Sequence, residues 1–129
     1  MDDRVKSVVS FLDQESHRSV RLAELAARVG LSPSRLSHLF RDETGTPIRA
    51  YLLDLRLGRA QRLLLDTNER ISQIAYRCGF TDLSNFNHAF KRKFGSAPRR
   101  YRRRGGRSPP EAPYERYALN AVMVFRPVQ

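Results

Sequence analysis

Apolar residues recur along this chain at the three- and four-residue spacing of amphipathic helices, and the central stretch PIRAYLLDLRLGRAQRLLLD, Pro47 to Asp66, carries that pattern twice over. At about 100° per residue, Ile48, Tyr51, Leu52 and Leu55 fall on one stripe. Leu53, Leu57, Ala60 and Leu64 fall on another, roughly opposite. A helix on the outside of one core needs one stripe. Two stripes, one weighted early and one late, predict a rod shared by two small cores. Gly58, inside the rod, costs about 1 kcal/mol relative to Ala and reads as a close backbone approach.

The flanks supply the two cores. Asp3 to Glu15 places Val5, Val8, Val9 and Leu12 at helical spacing with Phe11 alongside, and its leading aspartates suit a helix N-terminus. Leu22, Leu25, Ala26 and Val29 predict a second, short helix that stops at Gly30. Ser32 then serves as an N-cap with Pro33 at the first helical position, opening a third helix that buries Leu36, Leu39 and Phe40 and ends at Gly45. Two short helices joined by a Gly-containing turn form a helix-turn-helix corner.

The corner is written twice. After the turn from Thr67 to Arg70, ISQIAYRCGFTDLSNFNHAFKRKFGSAPRRY repeats LAELAARVGLSPSRLSHLFRDETGTPIRAY. Leu22, Leu25, Ala26 and Gly30 match Ile71, Ile74, Ala75 and Gly79 at an offset of 49. Leu36, Phe40, Gly45 and Tyr51 match Phe86, Phe90, Gly95 and Tyr101 at an offset of 50, one residue having entered the second turn. Two copies are too few for a stacked solenoid. The expectation is an all-α chain of two tandem helix-turn-helix subdomains, residues 1–46 and 67–104, joined by a long central linker helix at 47–66. A last short helix covers about Ala97 to Arg103. The Gly- and Pro-rich residues 105–129 read as a flexible tail, although the apolar stretch within Tyr114 to Val128 could instead form a strand or dock on a partner.

Charge narrows the function. The 24 Lys and Arg outnumber the 13 Asp and Glu, a formal net charge of +11. A polyanion is the favoured partner, nucleic acid first and an anionic membrane surface second. From Asn85 to Arg107 no acidic residue occurs, while Lys91, Arg92, Lys93, Arg99, Arg100, Arg102, Arg103, Arg104 and Arg107 all fall there. A block of one sign is a candidate phosphate-binding face. No apolar run approaches the roughly 20 residues of a membrane span, and MDDRVKS lacks the order of a signal peptide, so a cytoplasmic protein is expected.

Little speaks for catalysis. One cysteine, Cys78, excludes an internal disulfide, and its match to Val29 makes it a small core residue. His38 and His88 hold matched places in the two copies, but if both face a DNA duplex they lie about one turn apart and cannot share an ion. No paired carboxylates, Ser-His arrangement or phosphate loop stands out. The expectation is no enzyme, no cofactor and no metal.

The stretch from GLSPSRLSHLFRDETG through IAYRCGFTDLSNFNHAFKRKFGSAPRRYR resembles the DNA-binding domain of the AraC/XylS transcription regulators. The second part is the more specific, with Gly-Phe, then phenylalanines four apart, then Gly, Pro and Tyr-Arg. The resemblance covers about Val5 to Arg103. It implies seven helices in homeodomain-like three-helix units, bound to one face of double-stranded DNA, with RNA polymerase as protein partner for activators. Most members of the family carry a further sensing and dimerising domain. This chain is similar either to the short members that bind as monomers or to a fragment of a longer regulator.

In such a corner the second helix enters the major groove, and its exposed N-terminal residues reach base edges. With Leu36, Leu39 and Phe40 inward, the first unit presents Ser34, Arg35, Ser37 and His38. With Phe86, Ala89 and Phe90 inward, the second presents Leu83, Ser84, Asn87 and His88. The resemblance makes these the base-reading positions, and their chemistry is suited to base edges. Arg pairs best with guanine, Asn with adenine, Ser with either, and Leu touches a thymine methyl. Arg41, Lys91, Arg92, Lys93, Arg99 and Arg100 are the phosphate candidates. The expected function is sequence-specific regulation of transcription on an asymmetric site of about 20 base pairs. A DNA-binding fragment acting mainly through polymerase or other protein contacts is the alternative.

Overall fold

The structure, a computed structural model, describes residues 1–107, and these form seven helices with no strand among them. They are α1 (Asp3–Glu15), α2 (Leu22–Arg28), α3 (Pro33–Thr44), α4 (Ile48–Asp66), α5 (Ile71–Arg77), α6 (Leu83–Phe94) and α7 (Pro98–Arg103). The residues from Tyr114 to Val128, read as a tail with an apolar stretch, lie outside the described residues.

Local signals set the helix ends. Ser32 Oγ accepts from the Arg35 N–H at 3.2 Å and caps α3, with Pro33 at the first helical position. Asp82 Oδ1 caps α6, accepting from the N–H groups of Ser84 at 2.7 Å and Asn85 at 3.2 Å. Each cap satisfies donors that the first turn leaves without a helical partner. Both helices stop at a left-handed glycine, Gly45 at φ 76° and Gly95 at φ 84°. That backbone is strained for residues with a Cβ.

Two hydrophobic clusters form, and α4 runs through both. The first gathers Val5, Val8, Val9 and Leu12 of α1, Leu25 and Ala26 of α2, Leu36 and Phe40 of α3, and Tyr51 of α4. The second gathers Leu57, Ala60 and Leu64 of α4, Ile74 and Ala75 of α5, Cys78, Phe86 and Phe90 of α6, and Tyr101 of α7. In the second cluster α4 takes the place that α1 holds in the first. The tyrosines show the repeat in detail. Tyr51 meets Phe40 edge-on at 5.6 Å and donates its hydroxyl to Asp13 of α1 at 3.1 Å. Tyr101 meets Phe90 edge-on at 5.2 Å and accepts from Gln61 of α4 at 2.6 Å.

Two sequence expectations about α4 need correction. Leu53, assigned to the second stripe, is 39% exposed. The second cluster begins one turn further on, at Leu57, so the face around Leu53 has no core to enter. Gly58 marks no close approach, because a Cβ built there meets no heavy atom within 4 Å. Beyond α7 the described residues stay close to the fold as far as Gly106. Gly106 donates to Tyr101 O at 3.0 Å, and a Cβ on it would lie 3.2 Å from Leu65.

Candidate nucleic-acid interface

The core contacts of α3 and α6 decide which residues remain outside. Leu36 and Phe40 on α3, and Phe86 and Phe90 on α6, are wholly buried, fixing the roll of each helix. Burying each of these side chains contributes about 1.5–3 kcal/mol, far more than any surface contact that could compete for the orientation. Ser34, Arg35 and His38 of α3 are exposed, with Ser37 half-buried beside them. On α6 the corresponding set is Ser84 and His88, exposed, and Asn87, half-buried. Leu83 is different: it is half-buried and packs against the second cluster, leaving only part of its surface to reach outward.

His38 is held by its own helix. Its Nδ1 lies 2.8 Å from the carbonyl of Ser34, and because a carbonyl only accepts, Nδ1 is the donor.

The basic residues divide into two kinds. Arg41, Lys91, Arg92, Arg99 and Arg100 are exposed and stand in the second half of α3 or α6 or at the start of α7. Lys93 turns back to the linker, its Nζ 2.9 Å from Asp54 Oδ1, and is 19% exposed. Arg102, from the same basic block, is committed to the fold. Its guanidinium donates to the carbonyls of Leu64 at 2.9 Å, Glu69 at 2.7 Å and Thr67 at 3.2 Å, tying α7 to the turn between α4 and α5.

One basic residue escaped the sequence reading. A cleft of about 250 Å³ between α2, α3 and the start of α4 is lined by Leu22, Ser37, Arg41, Ile48 and Arg49 among others. It sets Arg49 beside Ser37 and Arg41. At the offset of 50 that relates the copies, Ser37, Arg41 and Arg49 become Asn87, Lys91 and Arg99. The repeat therefore carries the signal, because Arg49 is the counterpart of the phosphate candidate Arg99. Leu22, expected as a core residue of α2, is 37% exposed on the rim of this cleft.

Among the described residues no three of His, Cys, Asp and Glu are grouped to hold a metal ion. Cys78 is 1% exposed in the second cluster, and burial pushes its thiol pKa up, away from the reactive thiolate. Among the same residues no helix is long and apolar enough to cross a membrane.

Two helix-turn-helix corners on one strut, each showing a polar first turn flanked by arginine or lysine, define a tandem helix-turn-helix protein. Comparison with known proteins agrees. The family described as "Helix-turn-helix domain" matches residues 25–104. The transcriptional activator RhaR of Yersinia pseudotuberculosis is 38% identical over 107 residues, which are 83% of this chain and 37% of that protein. RhaR of Mannheimia succiniciproducens is 35% identical over 101 residues, again 37% of its length. The chain thus spans little more than a third of these curated relatives. Among solved structures, the DNA-binding domain of the global transcriptional factor AdpA in complex with a target DNA superposes with a TM-score of 0.75 at 31% identity, covering 80% of this chain and 93% of that one. An AraC-type regulator from Chromobacterium violaceum superposes with a TM-score of 0.74 at 30% identity, covering 81% and 94%. The chain belongs to the AraC/XylS family of helix-turn-helix transcription regulators.

Proposed function

We propose that this chain regulates transcription by laying α3 and α6 into successive major grooves on one face of an asymmetric DNA site of about 20 base pairs. The observation that carries the reading is the shared rod. At about 1.5 Å per residue, the 19 residues of α4 span roughly 28 Å, close to the roughly 34 Å of one DNA turn, and one polar helix face stands at each end.

Ser34, Arg35, Ser37 and His38 read one element, and Leu83, Ser84, Asn87 and His88 read the other. Arg35 favours guanine and Asn87 adenine. Arg41, Lys91, Arg92, Arg99 and Arg100 hold phosphates, joined by Arg49. Lys93 reaches a phosphate only by leaving Asp54. The chain by itself acts as a monomer in the cytoplasm, with double-stranded DNA as its first partner and RNA polymerase as its second. A reading in which protein contact dominates draws support from Tyr76, 56% exposed on α5, and from the activators among the relatives. A footprint taken with and without polymerase separates the two.

Selection of binding sites from random DNA tests the main reading. Two short elements about one turn apart are expected. Inserting about five base pairs between them moves one element to the opposite face of the duplex and abolishes high-affinity binding. Affinity unchanged by that insertion refutes the rod.

A further inference from the structure

Two probes joined by a helix at one point could still pivot about it, and the structure contains a second connection. Gly79, in the turn between α5 and α6, has φ +101°. A Cβ built on it would lie 2.7 Å from Arg56 Nε, 2.8 Å from Ser16 O and 3.1 Å from His17 O. The turn of the second corner is therefore pressed against the main chain at the end of α1, in the first unit. Arg56 of α4 fills the same junction. Its Nε donates to Ser16 O at 2.8 Å and its Nη2 to Arg18 O at 2.9 Å, while Arg59 Nη1 donates to Ser16 Oγ at 3.3 Å. Ser16 is fully buried there.

The junction is not something a helix-turn-helix turn requires. Gly30 holds the matched place in the first corner at φ +72°, and a Cβ built on it meets nothing within 4 Å. One glycine serves only its turn, whereas the other also admits a neighbouring unit at backbone contact. Near the far end of the same recognition helix, Lys93 of α6 meets Asp54 of α4 at 2.9 Å, a second restraint on that helix.

We propose that Arg56 and Gly79 are positioning residues that set the distance and angle between the two DNA-reading helices, and so make the protein selective for the spacing of its two elements. The inference rests on the two-groove reading above. The physical reason is effective concentration. A stiff link raises the local concentration of the second probe at one separation and denies it at others, whereas a loose link spreads it over many. One base pair changes the separation by about 3.4 Å and the direction by about 34°, given 10–10.5 base pairs per turn. A pivoting joint absorbs that change and a locked one does not.

Arg56→Met keeps the aliphatic stem and removes the donors. The probes are duplexes selected from random DNA by the unaltered chain, the same duplexes with the spacer one base pair longer or shorter, and duplexes keeping one element alone. The unaltered chain is expected to prefer its selected spacing by about tenfold or more. For Arg56→Met, affinity for the single-element duplexes stays within about twofold, while the spacing preference falls to about threefold or less. Arg56→Lys, which retains the charge but has a single donor nitrogen in place of the Nε and Nη2 pair, falls between. Gly79→Ala is expected to lose the preference as Arg56→Met does, and Gly30→Ala, which strains its turn without touching the junction, to keep it. Melting followed by circular dichroism shows that each variant is folded. An unaltered spacing preference in folded Arg56→Met overturns the inference, as does an equal loss on every duplex including the single elements. If the unaltered chain itself binds all spacings alike, the two-groove reading fails first, and the inference with it.

Discussion

The two corners are copies in sequence and unequal in packing. The first core is largely aliphatic, built on Val5, Val8, Val9, Leu12, Leu25 and Leu36 with the Phe40–Tyr51 pair. The second is a chain of rings: Phe86 lies 4.9 Å from Phe80 and 5.7 Å from Phe90, and Phe90 lies 4.5 Å from Phe94 and 5.2 Å from Tyr101. The second unit begins with a shared helix instead of one of its own, and its turn leans on its neighbour. Duplication thus supplies two readers, and the differences between the copies decide how each is held.

The largest effects should come from the matched core phenylalanines. Phe40→Ala and Phe90→Ala are each expected to lose about 3–5 kcal/mol of stability in urea unfolding. Phe90→Ala should be the worse of the two, since it forfeits several ring contacts worth about 0.5–1.5 kcal/mol each beyond burial. Equal losses would mean that the ring chain adds nothing to the second core.

The elements of this fold were legible because their signals are local. Ser32-Pro33, Gly45 and Gly95 announce helix ends within a few residues, and a 3.6-residue period exposed both working faces of α4. Leu53 misled because periodicity assigns a residue to a stripe without saying how far along the helix the partner core extends. The outward positions of α3 and α6 followed from the buried ones. The roles of the basic residues did not follow. Arg102 sits in a run of arginines yet spends its guanidinium on carbonyls of residues 64–69, and Lys93 pairs with Asp54. Arg56 reaches back to Ser16 and Arg18. Such contacts join residues far apart in sequence, and composition cannot tell a charge facing solvent from one facing the fold.

The reading faces extend the comparison to specificity. Asn87 and Ser37 are matched, but only Asn can bond an adenine through two groups at once. Asn87→Ala should therefore lose about 1–3 kcal/mol of discrimination at one or two positions of its element, measured against random DNA, and Ser37→Ala less. Equal loss of Asn87→Ala on selected and random duplexes would remove it from the base-reading set. Lys91→Ala is the contrasting case. It should weaken binding to all sequences alike and lower the salt slope by about one, the signature of a single phosphate contact.

The smallest effect concerns the strut between the copies. Gly58 is a helix-interior glycine outside the left-handed region, and a Cβ there meets nothing within 4 Å. Its presence weakens α4 by about 1 kcal/mol relative to Ala, through backbone freedom in the unfolded chain, and no packing contact in the fold offsets that. Gly58→Ala should therefore stabilise the protein by about that amount and raise its melting temperature by roughly 4 °C. Spacing preference on DNA should be unchanged, because the junction at Arg56 and Gly79 is untouched. A tighter spacing preference in Gly58→Ala would show instead that the strut itself bends at this residue, and that the inequality of the two units includes a hinge between them.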